Sequence, residues 1–396
     1  MMPAIAPSPL DILFVIDNSG SMKEEQEAVA AELTSFVSEL RVAGGVEQDL
    51  RVGVITTSVY QHTKTESFPP FFADCDTRRI YCTQSGKLQP VPDPNPDGGG
   101  VLYGTGSERV ITADDPEFVA KFARLVQQGT AGSGQETPFE ALRLALFDWQ
   151  GTPLAQGGNG GFLRDGARLL VVTLTDEDDC SEKFVRPSRV TIGNRPEIDY
   201  CTEQSNLLTP VQEYFDVLAG LKNSDGSRKE IIYTVIGPVG TTATKPAMGI
   251  LVPVFLADGG AATNEDGGQT MQVRNVDCPT SIQPGYRHRQ MAELFYSDLS
   301  NLDSICKSSY RQTLIDIANL AGVSQSLELT GVPDPGVLQL TIVRSDGSPK
   351  LCTVDNGGLT FDEPTAERPT LRIHFGADCK RRRDDRELKI DKLCIY

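Results

Sequence analysis

Five consecutive residues could form a cation site, because Asp17, Asn18, Ser19, Gly20 and Ser21 make a D-x-S-x-S pattern. The pattern lies between an apolar run and a helical stretch, and this context makes it more specific than the pentapeptide alone. In a tight loop, side chains two positions apart can converge on one cavity, where a carboxylate and two hydroxyl oxygens suit a hard cation. The sequence therefore predicts a Mg²⁺, Mn²⁺ or Ca²⁺ site, with a helix-capping turn as the alternative.

Two distant segments could complete such a site. Thr137 offers a hydroxyl at the start of a helix, although a capping box with Glu140 would explain it without a metal. Asp176 offers a carboxylate at the end of another apolar run. Three acids follow it, and they are predicted to form a solvated loop end, with a second calcium site as the alternative. These acids are Glu177, Asp178 and Asp179.

Apolar runs and helically spaced segments alternate along most of the chain. Strands are predicted at 11–17, 50–59, 167–175 and 230–236, and helices at 23–42, from 116, from 137, and at 209–221, 290–299 and 309–320. This alternation predicts an α/β fold with a doubly wound, mostly parallel sheet and right-handed crossovers. Loops at the carboxyl ends of its strands form the ligand crevice, and Asp17 and Asp176 both fall there.

The chain is predicted to have three parts: a linker over 1–8, the α/β domain over 9–322 and a small antiparallel β module over 323–396. The α/β domain carries cysteine-bearing insertions near 61–110, 177–206 and 239–285. Within the module, a basic cluster is interrupted by acids, which favours a solvated hairpin or tail over an anion contact. The cluster consists of Lys380, Arg381, Arg382, Arg383 and Arg386.

The charge of the chain argues against several functions. The 54 Asp and Glu residues outnumber the 37 Lys and Arg residues, and the net charge of -17 repels nucleic-acid phosphates and anionic membranes. No apolar run is long enough to cross a bilayer. The histidines His62, His288 and His374 match no metalloprotease spacing, and neither a serine-hydrolase elbow nor a phosphate loop occurs. We therefore predict a non-enzyme without a transmembrane segment or a nucleic-acid partner.

The nine cysteines are widely separated and form no C-x-x-C pair, which argues against zinc binding. Several lie in polar stretches where a crosslink would stabilise a long insertion, so an oxidising compartment is expected. Cys75 with Cys82 and Cys180 with Cys201 are candidate local pairs, and the other pairings stay open. The disulfide candidates are Cys75, Cys82, Cys180, Cys201, Cys278, Cys306, Cys352 and Cys379, which leaves Cys394 as the ninth.

Taken together, DILFVIDNSGSM, the Thr137-Pro138 helix start and LLVVTLTDEDD resemble the metal-ion-dependent adhesion site of the von Willebrand factor A family. The resemblance covers about 11–322. It implies that Ser19 and Ser21 ligate the ion directly, that Thr137 does so in the ligand-bound state, and that Asp17 and Asp176 act partly through water. The segment GSGQETPFEAL departs from the commoner pattern, so Glu136 is a candidate to share the role of Thr137.

The same motifs, with the later DSICKSSY, are similar to secreted A-domain lipoproteins of myxobacteria, one type of which is a gliding-motility adhesin. This resemblance implies a cell-surface protein that is anchored to the outer membrane by a lipidated cysteine upstream of Met1. It also implies that the bound metal of this protein binds a carboxylate of a partner or substratum. Envelope or motility machinery is a further expected partner. Two alternatives are an intracellular subunit of an ATPase, which would need reduced cysteines, and a structural envelope subunit that docks through its C-terminal module.

Overall fold

A computed structural model describes residues 9–42, 49–57, 109–130, 136–147, 159, 161–182, 189–192, 195–199, 201, 205–241, 249–253, 269, 271–278, 280–281, 283–330, 338–366 and 368–392. The strands are β1 (Leu10–Ile16), β2 (Leu50–Thr56), β3 (Ile111–Thr112), β4 (Arg168–Leu174), β5 (Arg189–Ile192), β6 (Arg195–Asp199), β7 (Ile231–Gly237), β8 (Gly249–Pro253), β9 (Met271–Asn275), β10 (Leu302–Ser304), β11 (Ser326–Leu329), β12 (Leu338–Val343), β13 (Pro349–Cys352), β14 (Leu359–Asp362), β15 (Leu371–Phe375) and β16 (Glu387–Lys392). The helices are α1 (Lys23–Val42), α2 (Phe118–Val126), α3 (Pro138–Leu146), α4 (Val211–Ala219), α5 (Tyr286–Phe295) and α6 (Arg311–Ala321).

Six strands form the central sheet in the order β10-β7-β4-β1-β2-β3. All neighbours are parallel except β3, which pairs with β2 in the antiparallel direction. Every residue of β1, β4 and β7 is buried, which explains why their sequences are continuous apolar runs. The doubly wound, mostly parallel α/β fold predicted from the sequence is confirmed.

Helices cover the sheet in two layers. Helix α1 contacts α2 and α6, whereas α4 contacts α3 and α5. Between β1 and the first layer, Phe14 packs edge-on against Phe36 and Phe122, with ring centroids 6.1 Å and 5.2 Å away. On β7, Tyr233 stacks on Phe295 of α5 at 5.3 Å. These aromatic contacts fix the helices against the central sheet, and the Phe14 contacts do so at β1, whose carboxyl end carries the D-x-S-x-S loop.

Two of the predicted insertions contain strands of their own. The hairpin of β5 and β6 lies within 177–206, and that of β8 and β9 lies within 239–285. Sequence reasoning did not identify either hairpin. The predicted insertion over 61–110 falls outside the described residues except for its last two positions.

After α6, the C-terminal residues form two three-stranded antiparallel sheets, β11-β15-β14 and β13-β12-β16. They share an apolar cluster of their own, which includes Leu340, Ile373 and Phe375. The antiparallel β structure predicted for this part of the chain is confirmed. The last helix of the α/β domain ends at Ala321 and the first C-terminal strand begins at Ser326.

The basic cluster is exposed at Arg382, Arg383 and Arg386, as the predicted solvated hairpin requires, but Arg382 and Arg383 also contact the α/β domain. The side chain of Arg382 pairs with Asp298 in the loop after α5. Arg383 donates a hydrogen bond to Asn319 of α6 at 2.6 Å. Within the C-terminal part of the chain, the backbone N–H of Arg381 donates to Gln325 at 2.8 Å. Asp385, one of the acids that interrupt the cluster, accepts hydrogen bonds from Arg344 within the module.

Three disulfides join cysteines of the described residues. Cys180 bonds to Cys201, which confirms one predicted local pair, and the other bonds are Cys278–Cys306 and Cys352–Cys379. The second predicted pair, Cys75 with Cys82, lies outside the described residues, as does Cys394. Within the described part of the chain, no helix is both long and apolar enough to cross a membrane. Disulfides are typical of proteins in oxidising compartments, so these three are consistent with an extracellular protein.

Asp362 on β14 joins the C-terminal sheets to the α/β domain. It accepts hydrogen bonds from the backbone N–H and the Nε of Arg228, both at 2.9 Å, and its carboxylate lies 2.6 Å from His374 Nε2. Burial acts to raise the pKa of Asp362, but the hydrogen bonds from Arg228 and His374 outweigh it and lower the pKa to about 2.

We expect Asp362→Asn to lower the free energy of unfolding by about 1 kcal/mol near neutral pH, a modest figure because solvent screens the pair. The folded-state pKa lies below the ordinary 3.8, so the carboxylate stabilises the fold above that pH and loses this effect as the pH falls toward 2. Urea unfolding at several pH values checks this. The difference between wild type and variant should vanish in acid, whereas the exposed control Asp355→Asn should show none at any pH.

Candidate functional site

The D-x-S-x-S loop follows β1 and is held by its own first residue. Asp17 is fully buried, and its Oδ1 accepts the backbone N–H of Ser19 at 2.8 Å. Its Oδ2 accepts the hydroxyl of Thr175, which follows β4, at 2.7 Å. Burial raises the pKa of Asp17 against these hydrogen bonds. The loop therefore carries a carboxylate that is anchored to the neighbouring strand end.

The two serines of the loop lie side by side. Ser19 Oγ and Ser21 Oγ are 3.2 Å apart, and Ser21 is close enough to Asp176 to affect the pKa of its carboxyl group. Burial raises the pKa of Asp176 to about 8, and repulsion from Asp17 acts in the same direction. The buried Oδ1 of Asp176 has no hydrogen-bond partner among the described residues. The structure thus places Asp17, Ser19, Ser21 and Asp176 at the same edge of the sheet, and their role as metal ligands stays a prediction.

Thr137 precedes α3, but its side chain does not cap the helix as the predicted capping box requires. Its hydroxyl instead donates to the backbone oxygen of Thr57, after β2, at 2.9 Å. The caps come from the loop after β4: Asp179 accepts the N–H of Phe139 at 3.0 Å, and Ser181 accepts that of Glu140 at 3.0 Å. The Thr137 hydroxyl donates its only proton to the backbone oxygen of Thr57. The lone pairs of the hydroxyl oxygen therefore point away from that hydrogen bond.

Glu136 is almost completely buried beside Thr137. Its Oε2 accepts a short hydrogen bond from the Thr57 hydroxyl, and its Oε1 has no partner within the described part of the chain. Burial, with repulsion from Asp17 and Glu177, raises the pKa of Glu136 well above its usual range. Glu136 therefore belongs electrostatically to the same cluster as the D-x-S-x-S loop.

The acids after Asp176 are not solvated, contrary to the sequence prediction, because Glu177, Asp178 and Asp179 are all buried. Asp178 accepts the backbone N–H of Arg287 at 3.0 Å, and burial raises its pKa to about 7. Asp179 pairs with the Nε of Arg287, also at 3.0 Å. Arg287, at the start of α5, thus binds both carboxylates.

Three supporting residues were not predicted. Gln26 of α1 donates to the backbone oxygen of Asp17 at 2.7 Å and to that of Gly129 at 3.0 Å. Thr175 orients Asp17, and Thr57 binds both Glu136 and Thr137. A polar residue directly after an apolar strand was the available signal for both threonines, whereas nothing distinguishes Gln26 from other polar residues of its helix.

The donor set at this edge fits a hard divalent cation. It combines the Asp17 and Asp176 carboxylates with the hydroxyls of Ser19 and Ser21, and Thr137 lies on the adjacent loop. The partnerless Oδ1 of Asp176 is an acceptor that a cation would satisfy. No group of three or more His, Cys, Asp and Glu side chains among the described residues could hold a metal. A cation here would therefore depend on hydroxyl oxygens as well as carboxylates.

A scan against protein-family models finds no match, and neither does a search of curated proteins. Among solved structures, the chain is similar to the pilus adhesin SpaC from Lactobacillus rhamnosus GG in an open conformation, with 12% identity, a TM-score of 0.33, and coverage of 98% of this chain and 38% of that one. It is also similar to a von Willebrand factor type A protein from Catenulispora acidiphila, with 11% identity, a TM-score of 0.35, and coverage of 94% and 56%.

A third similar structure is proximal thread matrix protein 1 from the mussel byssus, with 12% identity, a TM-score of 0.33, and coverage of 82% of this chain and 50% of that one. The chain thus spans between 38% and 56% of the length of these three proteins. At such TM-scores the similarities carry no argument, and the fold class rests on the sheet topology of the chain itself.

Proposed function

We propose that this chain is a von Willebrand A-type adhesive protein that binds a divalent cation at the carboxyl edge of its sheet and uses it to hold an acidic group of a partner or surface. The observation that carries the proposal is the convergence of Asp17, Ser19, Ser21 and Asp176 from the ends of two adjacent strands. A partnerless carboxylate oxygen lies among them.

The chain's own residues would hold the ion in complementary ways. Ser19 and Ser21 contribute neutral oxygens, Asp17 and Asp176 contribute negative charge, and Thr137 offers a hydroxyl from the loop fastened to Thr57. When bound, the ion would supply positive charge and a coordination position for an outside carboxylate. Thr175 and Gln26 keep Asp17 and its loop in place for this role.

The disulfides support the extracellular version of the proposal. The intracellular alternative, a subunit coupled to an ATPase, requires reduced cysteines, whereas six cysteines of the described residues are paired. Attachment to an outer membrane through a lipid anchor and a part in gliding motility belong to the same proposal, and they rest on the sequence resemblance alone.

The proposal is tested by titrating the metal-free chain of 396 residues with Mg²⁺, Mn²⁺ and Ca²⁺ in a calorimeter, and by measuring its attachment to carboxylate-coated and amine-coated beads. We expect saturable binding of at least one ion and attachment to carboxylate beads that a chelator reverses. Attachment that survives chelation, or the absence of saturable binding for all three ions, would contradict the proposal. Amine-coated beads are the control for nonspecific attraction to this acidic chain.

A further inference from the structure

A polar cavity of about 380 Å³ lies between the α/β domain and the C-terminal sheets. The loop after α5 contributes Ser297 and Asp298, and the β12–β13 hairpin contributes residues from Arg344 to Lys350. The segment that carries the basic cluster contributes Lys380 and Arg382. This cavity is built by different elements from those that form the proposed cation site.

Two of the four cations that line the cavity already have acidic partners. Arg344 pairs with Asp385, and Arg382 pairs with Asp298. In contrast, Lys350 and Lys380 form no ion pair with any residue of the described ranges. Two positive charges in the cavity wall therefore have no directly paired acid among the described residues.

Lys380 is the less hydrated of these two cations. Its Nζ lies 5.3 Å from the ring centroid of Tyr296, so one side of the ammonium group faces an aromatic ring instead of water. Burial lowers the pKa of Lys380 to about 8, and attraction to Glu230 opposes this only in part. A partly buried ammonium group without a directly paired acid is stabilised when an anion from outside the protein compensates its charge.

The acids of the cavity do not supply that compensation. Asp298 is engaged by Arg382, and Asp346 accepts the backbone N–H of Ser348 at 2.8 Å. Asp346 and Asp378 are both exposed, so water screens their charge. The hydroxyls of Ser345 and Ser348 also line the cavity and can donate hydrogen bonds.

We propose that this cavity binds a compact oxyanion, a carboxylate or phosphate group of a ligand, with the Lys380 ammonium group as its principal counter-ion. Arg344 and Lys350 add positive charge, and the serine hydroxyls add neutral donors. Ser297 and Asp298 of the α/β domain line the cavity together with residues of the C-terminal module. A bound ligand would therefore contact both the α/β domain and the module.

The test is calorimetric titration of the full chain at low ionic strength with inorganic phosphate and, separately, with acetate, in the presence of a chelator. Chelation keeps the result independent of the proposed cation site. We expect saturable binding of at least one probe, and the preferred probe distinguishes a phosphate-bearing from a carboxylate-bearing ligand. Lys380→Gln should weaken that binding at least about tenfold, because a charge-assisted contact is lost.

Lys389→Gln is the matched control, since Lys389 is exposed on β16, pairs with Glu387 and does not line the cavity. It should leave binding unchanged. Lys380→Gln keeps much of the side chain and breaks no ion pair of the described residues, so the thermal midpoint without phosphate should stay close to that of the wild type. Equal losses in the two variants, or no saturable binding of either probe to wild type, would overturn the proposal.

Discussion

Asp17→Ala should abolish both cation binding and attachment to carboxylate surfaces while the fold survives. Asp17 is the residue through which the loop is anchored, because it accepts hydrogen bonds from Ser19 and from Thr175 on the neighbouring strand end. A cation at one hundred times its dissociation constant should stabilise the wild type by about 2.7 kcal/mol, and the variant by nothing measurable. Thermal unfolding with and without Mg²⁺, Mn²⁺ or Ca²⁺ measures this difference.

Two further variants make the test specific. Asp17→Asn keeps the shape of the side chain and removes its charge, so it separates loss of the ion from loss of packing. Asp216→Ala removes an exposed acid of α4 and should retain the full stabilisation by the ion. If Asp17→Ala attached as well as the wild type, the result would contradict the adhesive proposal and favour the alternative of a structural envelope subunit. Under that alternative, deletion of 337–396 should prevent assembly.

Arg287→Ala should lower the free energy of unfolding by about 3 kcal/mol, because it leaves buried carboxylates without their cation. Arg287 binds Asp179 at 3.0 Å, donates to the backbone oxygen of Thr209 at 2.7 Å, and lies over the ring of Phe139 at 5.7 Å. Asp179 keeps its hydrogen bonds from Ser181, which places the effect at the lower end for buried pairs. Urea unfolding of wild type and variant measures it.

Arg311→Ala is the control for this prediction, since Arg311 is exposed at the start of α6 and should change stability little. The double variant Arg287→Ala/Asp179→Asn closes a thermodynamic cycle, and the neutral amide should recover part of the loss. A cost below about 1 kcal/mol for Arg287→Ala would mean that the pair contributes no more than an exposed one.

Local patterns were sufficient for the central sheet and for the core of the candidate site. The apolar runs that became β1, β4 and β7 are buried on both faces, so burial and sequence carry the same signal. Parallel strands place their carboxyl ends at one edge, which is why Asp17 and Asp176 could be brought together from topology alone. Their role as metal ligands stays a prediction.

Contacts between distant segments could not be read in the same way. The Thr137 capping box fitted the local pattern, yet the caps came from Asp179 and Ser181, about forty residues away. The acids after Asp176 looked solvated because their partner, Arg287, lies more than a hundred residues further along the chain. Likewise, only the folded chain shows which surfaces the basic cluster meets.

The distant capping of α3 has a consequence for the order of folding. A helix of nine residues is too short to persist in isolation, and its first turn is completed by side chains that follow β4. The loop that carries Glu136 and Thr137 should therefore acquire its native shape only after β4 has docked on β1. Slow exchange of the Phe139 and Glu140 amide protons should accordingly appear late in refolding, together with protection of β4.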